Sequence, residues 1–332
     1  MIFSKASGVN DSIFGKSQEP IRMMLESQEE AFEKMSIIPH VFYKDETKDF
    51  AAKYTIETSL GDFEPVGENG KYPESNFQEG YSKVIEPDTW KLQFSVTQEM
   101  VEDAKLGKVK SRATQFMRSY NRTRELFAAS ILNNGNSTTM KIGDKSFDIS
   151  CADGKALFAT DHPSITGGTG AQSNLYNAAF SYDNLSYAEE KMHYFKDDDG
   201  HILTVSPDTI ILPDKAGIKK LVLEAVGSDG NPTSANRAAN IHYGRWNIVF
   251  SPYLEAFSGT NGDCWILLDS SFNEAYEALI WLDRIPLTTR STINDDNDAN
   301  VFKGRARYGA APNNWRTMLC SAPGLSGASS FT

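Results

Sequence analysis

The residues that would carry chemistry in this chain are its glycine-rich stretches, acidic clusters and histidines. Gly15-Lys16-Ser17 is the ending of a phosphate-binding loop, in which backbone amides and a lysine cradle phosphate oxygens; the preceding Gly8 lies too far upstream and no strand leads in. Gly168 and Gly170 supply half of a dinucleotide fingerprint, but position 173 is Ser and the setting is a loop rather than a strand-to-helix turn. Asp197, Asp199 and Gly200 fit the third, fifth and sixth places of a calcium loop, whose first and twelfth places are here Phe195 and Ser206. A second cluster, Asp295, Asp296 and Asp298, has Ala299 where the sharp-turn glycine belongs. Both clusters are read as solvated turns. Gly324-Leu325-Ser326 begins a nucleophile elbow but ends in Ala328. Asp161-His162 is the one histidine beside a carboxylate, and neighbours in an extended chain point to opposite sides. His40, His193, His201 and His242 form no H-x-x-x-H pair for a metal. No catalytic, cofactor-binding or metal-binding residue is assigned, no cofactor is expected, and the chain is not read as an enzyme.

The elements themselves are more informative. Ala52, Tyr54, Ile56, Thr58 and Leu60 alternate with Lys53, Thr55, Glu57 and Ser59, the period of a strand with one apolar and one solvated face. Trp90, Leu92, Phe94 and Val96 alternate in the same way with Lys91, Gln93, Ser95 and Thr97. The two are read as partner strands. Gly61, Pro65, Gly67, Gly70, Pro73 and Gly80 lie between them among many acids, a connection far longer than the roughly 2 to 5 residues of a hairpin loop. Strands of about 10 residues reach roughly 34 Å, so the excursion over 50–94 can project well beyond the body. A two-stranded ribbon is marginal in water, and its apolar face needs a neighbour. Tyr54, Ile56, Leu60, Tyr81, Trp90, Leu92 and Phe94 are therefore the candidate subunit-interface residues. An active-site lid or a disordered insertion is the alternative.

Around this excursion the chain reads as follows. Residues to about 16 form a polar arm, and Ile21, Met24, Leu25, Phe32 and Met35 mark a helix after Pro20. The strongest helix signal covers 105–134, with Val109, Ala113, Phe116, Met117, Tyr120, Phe127 and Ile131 on one stripe and a left-handed cap expected at Asn133-Asn134-Gly135. About 30 residues make a rod of roughly 45 Å. Short strands at 140–142 and 147–149 sit in a loop-rich stretch. A mixed lobe follows, with helices near 183–195 and from an Asp214 cap, and strands at 209–212, 246–250 and 264–268. The last third is nearly all strand, at 277–285, 287–293, 301–308 and 315–320, with turns at Pro286, Asp295–Asp298 and Pro312-Asn313-Asn314. The tail from Pro323 is expected to be disordered.

The totals bound the function class. At 332 residues, two lobes or one domain with large excursions are expected. Apolar residues at 40% and charged residues at 23% are those of a folded protein. Thirty-three basic residues against 44 acidic ones leave a charge of -11, which opposes dedicated nucleic-acid binding. Cys151, Cys264 and Cys320 are widely spaced, so neither a zinc site nor a disulfide framework is indicated. The start lacks a signal peptide's apolar stretch and no run of about 18 apolar residues occurs, so synthesis in a cytoplasm and no membrane partner are expected.

The order of arm, projecting two-stranded loop, long helix, mixed lobe and returning strands resembles the major capsid protein of tailed bacteriophages. That fold is the Hong Kong ninety-seven type, which encapsulin shells share. Ala156-Leu157-Phe158-Ala159-Thr160-Asp161-His162-Pro163 and Ser206-Pro207-Asp208-Thr209-Ile210-Ile211-Leu212-Pro213 are similar to stretches of one capsid group. So are Trp265-Ile266-Leu267-Leu268-Asp269 and the segment 297–315 around Gly304-Arg305-Ala306-Arg307-Tyr308-Gly309. The resemblance spans nearly the whole chain. It implies an α+β fold with an N-terminal arm at 1–49, an extended β-hairpin loop at 50–96, and a peripheral domain at 97–179 holding the spine helix. An axial domain at 180–270, returning peripheral strands at 271–322 and a tail at 323–332 complete it. The implied function is a structural coat subunit that self-assembles, as pentamers and hexamers, into an icosahedral head enclosing double-stranded DNA without sequence-specific binding. Its implied location is the virion, after synthesis in a bacterial host cytoplasm. Some relatives carry a scaffolding segment before the arm; too little chain precedes Phe50 here, so a separate scaffold protein, with a portal, is expected. Some relatives also crosslink a loop lysine to a neighbour's asparagine, for which Lys53, Lys71 and Lys83 are available. An encapsulin-type compartment and a hydrolase with a long lid are the rival readings.

Overall fold

The computed structural model describes residues 36–58, 60, 63–68, 70–74, 79–97, 99–100, 106–167, 170–230, 239–294 and 299–331. The helix expected after Pro20, Gly15-Lys16-Ser17, Gly168 and the acids Asp295, Asp296 and Asp298 lie outside the described residues. The strands are β1 (Tyr43–Glu46), β2 (Ala52–Glu57), β3 (Glu79–Ile85), β4 (Asp88–Val96), β5 (Thr139–Ile142), β6 (Lys145–Asp148), β7 (Leu175–Tyr176), β8 (Thr209–Pro213), β9 (Asn247–Ser251), β10 (Trp265–Leu268), β11 (Leu279–Asn294), β12 (Ala299–Pro312) and β13 (Met318–Ser321). The helices are α1 (Ile38–Val41), α2 (Leu106–Asn133), α3 (Tyr182–His193), α4 (Ala216–Val226) and α5 (Ser270–Ala275).

The excursion is two-stranded, but its strands are not the pair that alternation suggested. β2 pairs antiparallel with β3, Tyr54 facing Lys83, whereas β4 joins β12, with Phe94 opposite Phe302. Alternation identifies a strand without naming its partner. β3 is also disguised, because Lys83 points inward while Val84 is exposed.

β4 is an edge of the four-stranded sheet β1-β11-β12-β4, in which β1 runs parallel to β11 and the other neighbours are antiparallel. β11 is one strand rather than two separated at Pro286. Its register with β12 slips between Asp283 and Thr288, and such an irregularity is where a strand tolerates a residue without a backbone N–H.

α2 has 28 residues, about 42 Å of rod, and lays its apolar stripe on this sheet. The Phe127 ring meets those of Trp90, Trp281 and Tyr308 edge-on, at 5.4, 5.8 and 5.9 Å between centroids. Close approach is set by Gly304 of β12, where a Cβ would stand 3.1 Å from Cε1 of Phe116 and closer still to its Cζ. Gly135 does a similar job beyond the helix end. Its φ is not in the left-handed region, contrary to the cap expected; it leaves room for Phe158, whose Cε2 would lie 2.6 Å from a Cβ.

The second sheet, in the order β7-β13-β10-β8-β9, is built on two strands buried throughout, β8 and β10. Ser181 caps α3 by accepting from the Asn184 amide. α4 is not capped by Asp214: Lys215 occupies that place without a side-chain bond, and Asp214 pairs with Lys219 at 2.7 Å. The expected strand over 315–320 begins as a 3-10 turn at Trp315–Thr317 before β13. The tail is packed rather than disordered up to Phe331, which is buried and stacks on Tyr176 at 4.6 Å. One continuous core runs through both sheets, from Phe127, Trp281 and Tyr308 to Ile211, Leu267 and Leu319.

Candidate assembly surfaces

The root of the excursion is fixed to its own chain. Tyr54 is buried among Ile85, Ile280, Leu282 and Ala311, and its hydroxyl donates to Asp45 Oδ2 at 2.6 Å. Burial, reinforced by the Asp45 carboxylate, pushes the phenol well above its ordinary pKa. Opposite it, the buried Lys83 ammonium donates to Asp148 at 2.8 Å and to Ser150 at 3.0 Å, tying β3 to the end of β6. Partial burial would raise the Asp148 carboxyl, but Lys83 and Ser150 outweigh it and hold the group below the usual carboxylate range. Lys83 is therefore engaged within its own chain and is not a free lysine for crosslinking.

A polar pier supports this root. Ile56 and Tyr81 are half-buried beside Ile165, Asp198, Trp315 and Arg316. Arg316 and Asp198 form a buried ion pair at 3.2 Å; Asp198 also accepts from the Ile165 amide, and Arg316 Nε donates to the Lys196 carbonyl. Next to it, His162 stacks on Trp315 at 4.3 Å, with Nδ1 2.7 Å from Asp153 and Nε2 3.2 Å from Asn174 Oδ1. Both ring nitrogens are thus occupied by structural partners, so the Asp161-His162 stretch builds the pier. The 197–199 cluster is likewise not simply a solvated turn. Asp197 and Asp198 are buried, and Asp197 accepts from the amides of Asp199 and His201. Among the described residues, no group of three or more His, Cys, Asp or Glu could hold a metal ion, and no helix is long and apolar enough to cross a membrane.

The remaining interface candidates divide in two. Trp90 lies flat on Tyr308 at 5.1 Å and donates from Nε1 to the Tyr308 carbonyl, and Phe94 stacks on Phe302 at 5.0 Å. Their rings are committed to the sheet and helix of their own chain. Leu60 and Leu92 are open, at 46% and 49% exposure. Beyond Leu60 the outer end of the excursion also exposes Val66, Phe63 at 105% and Tyr72 at 93%.

A further surface was not anticipated from the sequence. The face of β4, β12 and β11 turned away from α2 carries Lys91, Arg290, Lys303 and Arg305, all exposed, around an open groove of about 710 Å³. Period-two alternation of these cations with Leu92, Phe302 and Gly304 was the available signal; it needed the strand register to bring them together.

A long helix laid on a long-stranded sheet, a second buried sheet and a projecting two-stranded arm with an uncovered end define a coat subunit. A family model described as phage capsid protein matches residues 80–321, and the chain belongs to that family. It is a structural phage capsid protein, and its place is the capsid of the virion. Solved structures share the fold at low identity. A chain from Mycobacterium phage Patience is 12% identical with a TM-score of 0.55, covering 95% of this chain and 88% of that one. One from Mycobacterium phage Bobi is 13% identical with a TM-score of 0.53, covering 88% and 91%. The capsid of an empty GTA particle is 12% identical with a TM-score of 0.53, covering 87% and 90%. No curated protein matches the sequence.

Proposed function

We propose that this coat subunit closes, as pentamers and hexamers, into an icosahedral head around packaged double-stranded DNA. The reading is carried by one observation: Leu60, Phe63, Val66 and Tyr72 are exposed together at the end of a rooted arm. Apolar surface of this kind gains about 25 cal/mol per Å² when a neighbour covers it. In this reading Leu60 and Leu92 touch the neighbouring subunit and Ile56 and Tyr81 set the angle at which the arm leaves. Tyr54, Trp90 and Phe94 act indirectly, by fixing the surfaces on which contacts form. Residues 1–49 serve as an arm, 50–96 as the extended loop, 97–179 with 271–322 as the peripheral domain, and 180–270 as the axial domain. A net charge of -11 favours a wall that does not cling to phosphate, so the DNA is enclosed without sequence-specific contacts. A separate scaffold protein and a portal complete the assembly, the subunit is made in the bacterial host's cytoplasm, and it performs no catalytic step.

Electron microscopy of the purified chain, with analysis of the shells' contents, tests this. Shells, rings or tubes are expected; small monodisperse particles under every salt condition would count against this closure, and protein cargo in place of DNA would favour a nanocompartment. Hydrogen exchange adds a local test. Amides of β2 and β3 should exchange faster in free subunits than in shells, and equal protection in both states removes the intersubunit role of the excursion.

A further inference from the structure

Helix α2 carries its charge against its own stability. Its 28 residues include six basic ones and a single acid, Glu125. Arg124 is buried with Asp283, and Glu125 accepts from Ser36 Oγ and the Ile37 amide, so neither belongs to the solvent face. Lys108, Arg112, Arg118 and Arg122 are exposed. At about 3.6 residues per turn they fall within about 120° of one another around the axis, away from the stripe of Ala113, Met117, Tyr120 and Phe127, over a length of about 21 Å. The first turn holds Lys108 and no acid, and the last turn has no cation, the reverse of what the macrodipole favours. Lys108 with Arg112, and Arg118 with Arg122, are like-charged neighbours four residues apart, an arrangement that destabilises a helix. Among the described residues none of the four forms an ion pair; Arg112 donates to the Ser95 carbonyl.

A line of unneutralised cations that weakens its own helix calls for an anionic partner, and the rest of the face says which kind. Ser111 and Gln115, beside the cations, are exposed and polar, and among the described residues of α2 only Leu126 is a large apolar side chain open to solvent. A protein partner would find no apolar centre of the sort that protein interfaces bury. Phosphate needs none, because it takes charge and hydrogen bonds, and the planar forks of the three arginines match its oxygens. A straight row of cations suits the phosphate charge of a duplex, which recurs about every 1.7 Å of its axis. The chain as a whole, at -11, repels the same polyanion, so contact is confined to this face. Lys91, Arg290, Lys303 and Arg305 lie on the side of the sheet turned away from α2, out of reach of a duplex seated on the helix.

We propose that the Lys108, Arg112, Arg118 and Arg122 face of α2 binds the phosphate backbone of duplex DNA, without regard to sequence, and is the side of the subunit turned toward the contents of the head. This rests on the coat-subunit reading for the presence of DNA and names the surface that meets it. The hold of one subunit is weak, and repetition over a shell multiplies it. An acidic protein segment is the competing partner, disfavoured by the lack of an apolar anchor on the face.

The test uses the full chain as unassembled subunits, titrated against a labelled duplex of random sequence and followed by fluorescence anisotropy over a range of salt. The logarithm of the affinity should fall against that of the salt concentration with a slope of about -0.9 per phosphate contacted, or about -3.6 for four. R118Q/R122Q should make the slope shallower by about 2, while K303Q/R305Q on the opposite side of the sheet should leave it unchanged. R118Q/R122Q should also unfold at the same or a higher denaturant midpoint, since it separates like charges. Wild type that does not bind the duplex at low salt overturns the proposal, as does an unaltered slope in R118Q/R122Q or a slope lost in K303Q/R305Q instead. A lower unfolding midpoint for R118Q/R122Q overturns it too, by making the pair part of the fold, and tighter binding of polyglutamate than of DNA does so in favour of an acidic protein. Electron microscopy keeps the two readings apart. Shells formed by a wild-type chain that fails the titration leave the coat reading standing, and a chain that binds the duplex but forms no shells at any salt concentration defeats the coat reading alone.

Discussion

Replacing Gly304 with alanine tests whether the seat of α2 on its sheet is as tight as it looks. The new methyl would stand 3.1 Å from Cε1 of Phe116 and 3.3 Å from Cδ1 of Leu287, with Cζ of Phe116 closer still. Phe116 has little room to yield. Its ring packs 5.3 Å from that of Phe94, which is itself stacked on Phe302. Overpacking of this kind costs about 1–3 kcal/mol, while restricting the unfolded chain by Gly→Ala returns about 0.4–1 kcal/mol, leaving a net loss on the order of 1–2 kcal/mol. Denaturant unfolding of unassembled subunits should therefore show a lower midpoint at unchanged m-value. Phe116→Leu removes the obstructing ring at a cost of its own. In the double variant the two losses should fall short of additive by about 1 kcal/mol, as for residues in contact. A Gly304→Ala protein as stable as wild type, or strict additivity, would refute the reasoning.

Two further outcomes follow from side chains already described. His242 is fully buried, with Nε2 2.8 Å from Ser186 Oγ and Nδ1 accepting from Trp246 Nε1 at 3.3 Å. Burial depresses its pKa, with Glu189 opposing and Arg245 reinforcing that shift. The folded state thus binds the proton less readily than the unfolded state. The associated stability is complete above about pH 6.5 and declines as pH falls toward the folded pKa, by no more than about 1.4 kcal/mol per unit. His242→Gln should flatten this part of the stability-pH curve, and an unaltered slope contradicts the assignment. Lys83→Met keeps the packing of the stem and removes the pair with Asp148, whose side chain is 66% exposed, so the cost is about 1 kcal/mol or less. Amides of β2 and β3 should then exchange faster in free subunits while the global unfolding midpoint barely moves; a fall in that midpoint with no local change would place Lys83 in the core rather than at a root.

What the sequence could disclose was whatever a short window contains. β8 and β10 are runs of branched apolar residues, and α2 carries a sustained stripe, so both were visible locally. Partners were not visible. β4 lies about 200 residues from β12 in sequence, and nothing in the alternation of 90–96 prefers Phe302 over Tyr54 as a neighbour. β3 was lost because its inward residue is Lys83, which only an acid from a distant hairpin makes tolerable inside. The same holds for Asp198, buried because Arg316 arrives from the far end of the chain. Of the seven interface candidates, apolarity picked out both the open Leu60 and Leu92 and the enclosed Tyr54 and Trp90, since alternation cannot tell a face that meets its own core from one that waits for another subunit.

Rings of five or six identical subunits need a heterologous contact, in which one surface meets a different one, and such contacts propagate until a rotation closes them. Charge and apolar burial then respond differently to salt. Subunits of charge -11 repel over the whole surface, at ranges comparable with the Debye length of about 30 Å at 0.01 M. Covering the exposed Leu60, Phe63 and Tyr72 does not depend on charge, so it persists when the Debye length falls to about 3 Å near 1 M. Assembly followed by light scattering should therefore improve from about 0.01 M to about 0.15 M salt and hold toward about 1 M. A loss of assembly toward 1 M would mean that ion pairs at contact range, rather than the apolar end of the arm, close the shell.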